Sequence, residues 1–166
     1  MEGPEVVALL RRLEAVGVTA WVDGGWGVDA LLGEETRRHA DVDLVVPAGA
    51  VPRLRALLEA EGFEVIRDWL PAALAFRRHD GREVDLHPVE LTEDGGGDQV
   101  QLDGVERWHY AAPVRGVVAG QAVLCCSLET QLRAHVGYEP DADDIADMKA
   151  LAQRFGCELP PPYDRG

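Results

Sequence analysis

The stretch that most constrains the fold is "ALAFRRHDGREVDLHPV", Ala73 to Val89. Two alternating segments flank Asp80-Gly81, and an Asp-Gly pair in that setting is a strong signal for a two-residue hairpin. Such a turn sets a register with Phe76 opposite Asp85 and Leu74 opposite His87. Asp85 is then a carboxylate on a strand beside an apolar ring. That partly desolvated setting suits a proton acceptor.

Two more carboxylates stand in "TRRHADVDLVVP", Thr36 to Pro47. On a strand the side-chain period is two, so Asp41 and Asp43 share one face while Val42 and Leu44 take the other. Carboxylates that close repel each other unless a cation sits between them, and a hard divalent ion prefers oxygen ligands. Upstream, "WVDGGWGVDALLG" places Gly24-Gly25 at a strand-to-helix turn, where backbone N–H groups can approach phosphates. Arg37, Arg38 and His39 directly precede the acidic strand and are suited to neutralising phosphate oxygens; alternatively they form a solvated loop.

The remaining pattern frames this centre. A helix is expected from Pro4 to Gly17 and another from Pro52 to Gly62, each with an apolar stripe. "TEDGGGDQ" (92–99) reads as a flexible loop, and Asp103-Gly104 predicts a second short hairpin before Trp108. Ser127 caps a helix with stripe Leu128, Leu132 and Val136; Asp141 caps a helix with stripe Ile145, Met148, Ala152 and Phe155. The tail "ELPPPYDRG" reads as extended and loosely held. Trp21, Trp26 and Trp69 belong mostly to the core by pattern, with Trp26 best placed near any phosphates held at the Gly24-Gly25 turn. His87 shares a face with Asp85, and His135 is expected to be hydrogen-bonded and partly buried. The expected fold is α/β (α+β): a small mixed, mainly antiparallel sheet flanked by helices, with the C-terminal helices packed on one side. One domain over 1–166 is expected, its core at about 18–124 and its helical part at about 127–156.

Charge narrows the partners. The net charge is −14 and Lys149 is the sole lysine, so no basic footprint for nucleic acid exists. The acidity favours a cationic small molecule, or serves solubility alone. Cys125 and Cys126 are adjacent and Cys157 is isolated, a pattern of buried small residues rather than of a metal site or redox pair. No apolar run reaches the roughly 20 residues that span a bilayer, and no secretory pattern opens the chain, so the cytoplasm is the expected location and no membrane contact is expected.

In combination, "WVDGGWGVDALLGEETRRHADVDLVV" followed by "REVDLHPV" resembles the nucleotidyltransferase superfamily of the DNA polymerase beta type. It is most similar to the small antibiotic-modifying branch, the aminoglycoside and lincosamide nucleotidyltransferases. A Gly-Gly pair before a helix, an Asp-x-Asp on a strand and a third strand carboxylate occur in the family's order. "GYEPDADDIADMKAL" is similar to the branch's C-terminal helix. The likeness is weakest from Leu91 to Leu124.

The resemblance implies roles. Asp41 and Asp43 would ligate magnesium on the phosphates of ATP, and Asp85 would complete a second magnesium site and serve as, or position, the base for the acceptor hydroxyl. Gly24 and Gly25 would cradle the triphosphate, while Arg37, Arg38 or His39 would stabilise departing pyrophosphate. Tyr138, Asp144 and Asp147 would bind the acceptor, the two aspartates through its amines; for these aspartates, first-turn acids favoured by the helix dipole are an equal reading. Asp143 stands where relatives often carry a basic residue, which leaves open whether Lys149 or an arginine contacts the triphosphate. The implied activity is transfer of AMP to a hydroxyl of a small molecule, an aminoglycoside or lincosamide, with a homodimer able to deepen a shallow acceptor site. Two other classes share the pattern: a nucleotidyltransferase that modifies a protein, and a binding module without catalysis.

Overall fold

The computed structural model describes residues 1–164. Arg165 and Gly166, at the end of the tail, lie outside the described residues. Helix α1 (Gly3–Ala15) leads into β1 (Trp21–Asp23), α2 (Gly24–Leu32), β2 (Asp41–Pro47) and α3 (Val51–Ala60). Strands β3 (Phe63–Trp69), β4 (Ala73–Arg78), β5 (Glu83–Leu91), β6 (Gly97–Val100), β7 (Arg107–Tyr110), β8 (Val114–Val118) and β9 (Gln121–Cys125) follow. Helices α4 (Leu128–Ala134) and α5 (Ala142–Phe155) complete the order.

The strands join in the order β3-β4-β5-β2-β1-β9-β8, with β6 and β7 branching from β5. Among the described residues, β2/β5 and β1/β9 pair in parallel and the other pairs are antiparallel. This is the expected mixed, mainly antiparallel sheet. Its apolar face buries Val42, Leu44, Phe76, Val84 and Leu86 against α1 and α3 through Leu9, Leu13, Leu54 and Leu58. At about 25 cal/mol per Å² of apolar surface removed from water, this continuous core is the main stabilising term. Helices α4 and α5 pack against α2, where Met148 and Leu151 meet Val28. Among the described residues, no helix is long and apolar enough to cross a membrane.

Several expectations are corrected. The Asp80-Gly81 hairpin has three loop residues, not two: Arg78 N–H donates to Arg82 C=O at 2.8 Å, and Gly81 takes φ +87°. The extra residue moves the register by one, so Phe76 faces Val84 and Asp85 faces Ala75. Burial decides this register, because the alternative would set the fully buried Phe76 ring and the carboxylate on one face. "TEDGGGDQ" is not a flexible loop throughout: Gly97 to Gln99 belong to β6. Gly97 is there because a Cβ would lie 2.6 Å from a Val89 methyl.

Strands β3, β8 and β9 carried no signal strong enough to be expected. The β8–β9 turn uses Ala119 and Gly120, both at positive φ, a type I′ hairpin with an alanine where asparagine or aspartate is usual. The buried side of α5 is Asp147, Met148 and Leu151, whereas Ile145 and Phe155 are exposed. Trp69 is 52% exposed and is not core. The tail is anchored rather than loose, since Tyr163 is buried against the α2–α5 cluster.

Candidate active site

The sheet register builds the centre. Asp23 pairs with Asp43 across β1/β2, and Asp43 with Asp85 across β2/β5. Asp85 then faces Ala75 on β4, and Ala75 faces Arg67 on β3. One row across five strands therefore reads Arg67, Ala75, Asp85, Asp43, Asp23, on the face opposite the apolar core. Asp41 stands one rung away on the same face, exposed and paired with Glu83.

Among the described residues, Asp43, Asp85 and His87 bring one ligand atom each within 4.8 Å of one another. His87, not Asp41, is the third member of this tightest group. His87 Nε2 lies 3.2 Å from Asp43 Oδ1. Burial disfavours its charged form, but the hydrogen bond and charge of Asp43, with Asp23 and Asp85 behind them, push its pKa up to about 9. Burial raises the pKa of Asp85 above the ordinary carboxylate value, and the partial loss of hydration at the sheet surface raises that of Asp41, with Asp43's charge adding to both. Arg67 forms an ion pair with Asp85 Oδ2, while the buried Asp85 Oδ1 has no hydrogen-bond partner among the described residues. Arg67 was not foreseen. Neither was Asp23, which is buried, accepts from Gln131 Nε2 at 3.0 Å and has its pKa raised by burial. Its signal was a carboxylate directly before the glycine pair at the end of an apolar strand.

The glycine turn sits against this row. Gly24 has φ +57°, and a methyl there would collide with the Asp43 carboxylate. A Cβ on Gly25 would lie 2.5 Å from Arg37 Nη2 and 2.6 Å from His39 Nδ1. Arg37 and His39 thus converge on the start of α2, whose backbone N–H groups and dipole favour anions. His39 is fixed from behind: its Nε2 lies 2.5 Å from Asp29 Oδ2, its ring packs against Trp26 at a tilt of 42°, and Asp29 Oδ1 accepts from Thr36 Oγ1 at 2.6 Å. Arg38 is exposed, and its side chain has no polar partner among the described residues.

The helical carboxylates have internal partners. Asp147, nearly fully buried, accepts from Arg37 Nε at 3.0 Å and Nη2 at 2.8 Å. Its carboxylate orients Arg37 rather than facing outward to an acceptor. Asp144 accepts from Tyr138 O–H and from the Asp141 N–H, both at 3.0 Å, and closes the capping box of α5. Tyr138 is half exposed; Lys149 is exposed on the far part of the same helix. His135 is buried, with Nδ1 2.8 Å from Gln131 C=O, as expected.

The sequence model of the family described as Aminoglycoside-2''-adenylyltransferase matches residues 5–151. The chain belongs to this family. It is therefore an enzyme, a nucleotidyltransferase of the antibiotic-modifying type. A lincosamide resistance protein of Staphylococcus haemolyticus is 30% identical over 152 residues, covering 89% of this chain and 92% of that protein. A 2''-aminoglycoside nucleotidyltransferase of Escherichia coli is 30% identical over 138 residues, covering 82% and 72%. The structure of the lincosamide antibiotic adenylyltransferase LnuA with lincomycin bound superposes with a TM-score of 0.80 at 30% identity, covering 89% of this chain and 94% of that one. For this adenylyltransferase the carboxylate row fits a divalent ion: the ligand atoms converge, and a buried Asp85 oxygen is left for a cation.

Proposed function

We propose that this adenylyltransferase moves AMP from magnesium–ATP onto a hydroxyl of an antibiotic, with a lincosamide as the first acceptor to test. The observation that carries the reading is the alignment of Asp43 with Asp85 across the parallel β2/β5 pair, directly beneath the Gly24 turn. Asp43 and Asp85 would hold the ion, with Asp41 as a further ligand one rung away. The ion, when bound, supplies charge neutralisation at the reacting phosphate.

Backbone N–H groups at Gly24 and Gly25 would receive the triphosphate, and Arg37, held by Asp147, would meet the departing charge. His39 Nδ1 lies beside it. Asp85 would accept the proton of the acceptor hydroxyl as that oxygen bonds to the α-phosphorus and the bond to pyrophosphate breaks. Its burial-raised pKa suits that task. Protonated His87 would keep Asp43 oriented. The lincosamide acceptor is favoured by near-equal chain length and coverage with that relative. An aminoglycoside is the second reading, supported by a net charge of −14, which attracts a polycation.

The test incubates protein, magnesium and each ribonucleoside triphosphate with lincosamides and aminoglycosides, and weighs the products. A mass increase of one AMP on one drug class, lowered by about 10³-fold or more in Asp85→Asn, is expected. Turnover by Asp85→Asn at the wild-type rate would remove the assigned base.

A further inference from the structure

Arg67 reaches the carboxylate row through an irregularity of β3. Val65 pairs with Phe76 and Arg67 with the next residue of β4, Ala75, so Ile66 is an extra, bulged residue. Without the bulge, Ile66 would face Ala75, and Arg67 would face Leu74 on the apolar side. The bulge turns the guanidinium from the core face to the carboxylate face, a recurrent use of bulges beside active sites. Ala75 lies between Arg67 and Asp85, and its single methyl lets the arginine cross a strand. The guanidinium also rests 4.9 Å from the centre of the Trp69 ring.

We propose that Arg67 is the resident counter-cation of Asp85, holding on that carboxylate the place a divalent ion takes, so that Arg67 sets the affinity for the ion. The inference rests on the reading of Asp43 and Asp85 as metal ligands. Asp43 and Asp85 stand side by side in this row; His87 lies against Asp43, and among the described residues Arg67 is the arginine that reaches Asp85. Exposure decides which partner yields. The Arg67 side chain is 38% exposed and the Asp85 side chain 14%, so the arginine can turn to water while the carboxylate stays. The Trp69 face gives the released guanidinium a nearby resting place. Ion binding and the Arg67–Asp85 pair therefore oppose each other, and linkage makes the opposition reciprocal. Arg67 is a positioning residue, acting through Asp85.

The experiment titrates Mn²⁺ into wild type, Arg67→Gln, Arg67→Lys and Asp85→Asn without nucleotide, reading free Mn²⁺ by its electron paramagnetic resonance signal. Melting temperatures in EDTA are measured in parallel. Arg67→Gln is expected to tighten Mn²⁺ binding by about fivefold or more and to lower the metal-free melting temperature. Arg67→Lys, which keeps the charge, should stay near wild type in both. Unchanged or weaker Mn²⁺ binding in a folded Arg67→Gln protein overturns the proposal. If wild type and Asp85→Asn bind Mn²⁺ equally, with ATP as well as without, the metal-ligand reading fails first and takes this inference with it.

Discussion

Replacing Asp147 by asparagine separates two roles that one carboxylate on α5 can have. In the structure Asp147 is 2% exposed and grips Arg37 through both oxygens, while Arg37 is 25% exposed and also approaches Asp143 at 3.3 Å. Asparagine keeps one acceptor but loses the charge and the second bond. Hydrogen bonds to charged groups contribute about 1.5–3 kcal/mol each, and relief from burying a charge offsets part of the loss. Asp143 is largely exposed, so its screened attraction compensates little. A net cost of about 2 kcal/mol follows, or roughly 4–8 °C in melting temperature for a chain of this size. Arg37 would also lose its orientation beside Gly25, raising KM for ATP more than KM for the antibiotic. Differential scanning calorimetry and steady-state kinetics with each substrate varied would measure both. An unchanged melting temperature with a raised antibiotic KM would refute the assignment and return Asp147 to the acceptor side.

Gly24→Ala should sharply reduce adenylyl transfer and cost about 1–3 kcal/mol, because it combines a left-handed backbone with a collision against Asp43; thermal melting and activity together test it. Asp23 has a raised pKa when folded, so the stability linked to its neutral form is present below its ordinary 3.8 and is lost as pH rises through the folded value. Asp23→Asn should therefore melt above wild type without divalent ions, by a margin that widens as pH rises from 4 and levels off above the folded pKa of Asp23. A constant margin would contradict this. Tyr163→Ala should cost roughly 3 kcal/mol in denaturant unfolding, since the ring is buried against Met148 and Leu151.

Much of this centre was legible from period and turn chemistry. Asp43, Asp85 and the Gly24 turn needed only alternation and the rarity of paired glycines within elements. The Asp-Gly hairpin was recognised, yet its loop length was not, because two- and three-residue loops share that dipeptide and only core burial selects between them. Arg67 was hidden for a physical reason. Strict alternation puts Val65 and Arg67 on one face, and the bulge at Ile66 places them on opposite faces. Asp147 was visible as a helical carboxylate, but its partner lies 110 residues away and no local pattern names it. Trp69 looked apolar and is exposed, because β3 is a sheet edge with its outer side uncovered.

The parallel pairing of β2 with β5 also governs how the chain is made. When β2 leaves the ribosome, β1 is available to pair with one edge, but its other partner ends only at Leu91. At about 5–20 residues per second the segment "VDLVV" waits for seconds with an apolar edge unpaired. Such an edge is a template for other nascent chains. Asp41 and Asp43, uncompensated at that moment, repel a second copy of the same segment. The charges that the proposed metal ion would neutralise in the finished enzyme thus oppose pairing of this strand with a copy of itself during synthesis.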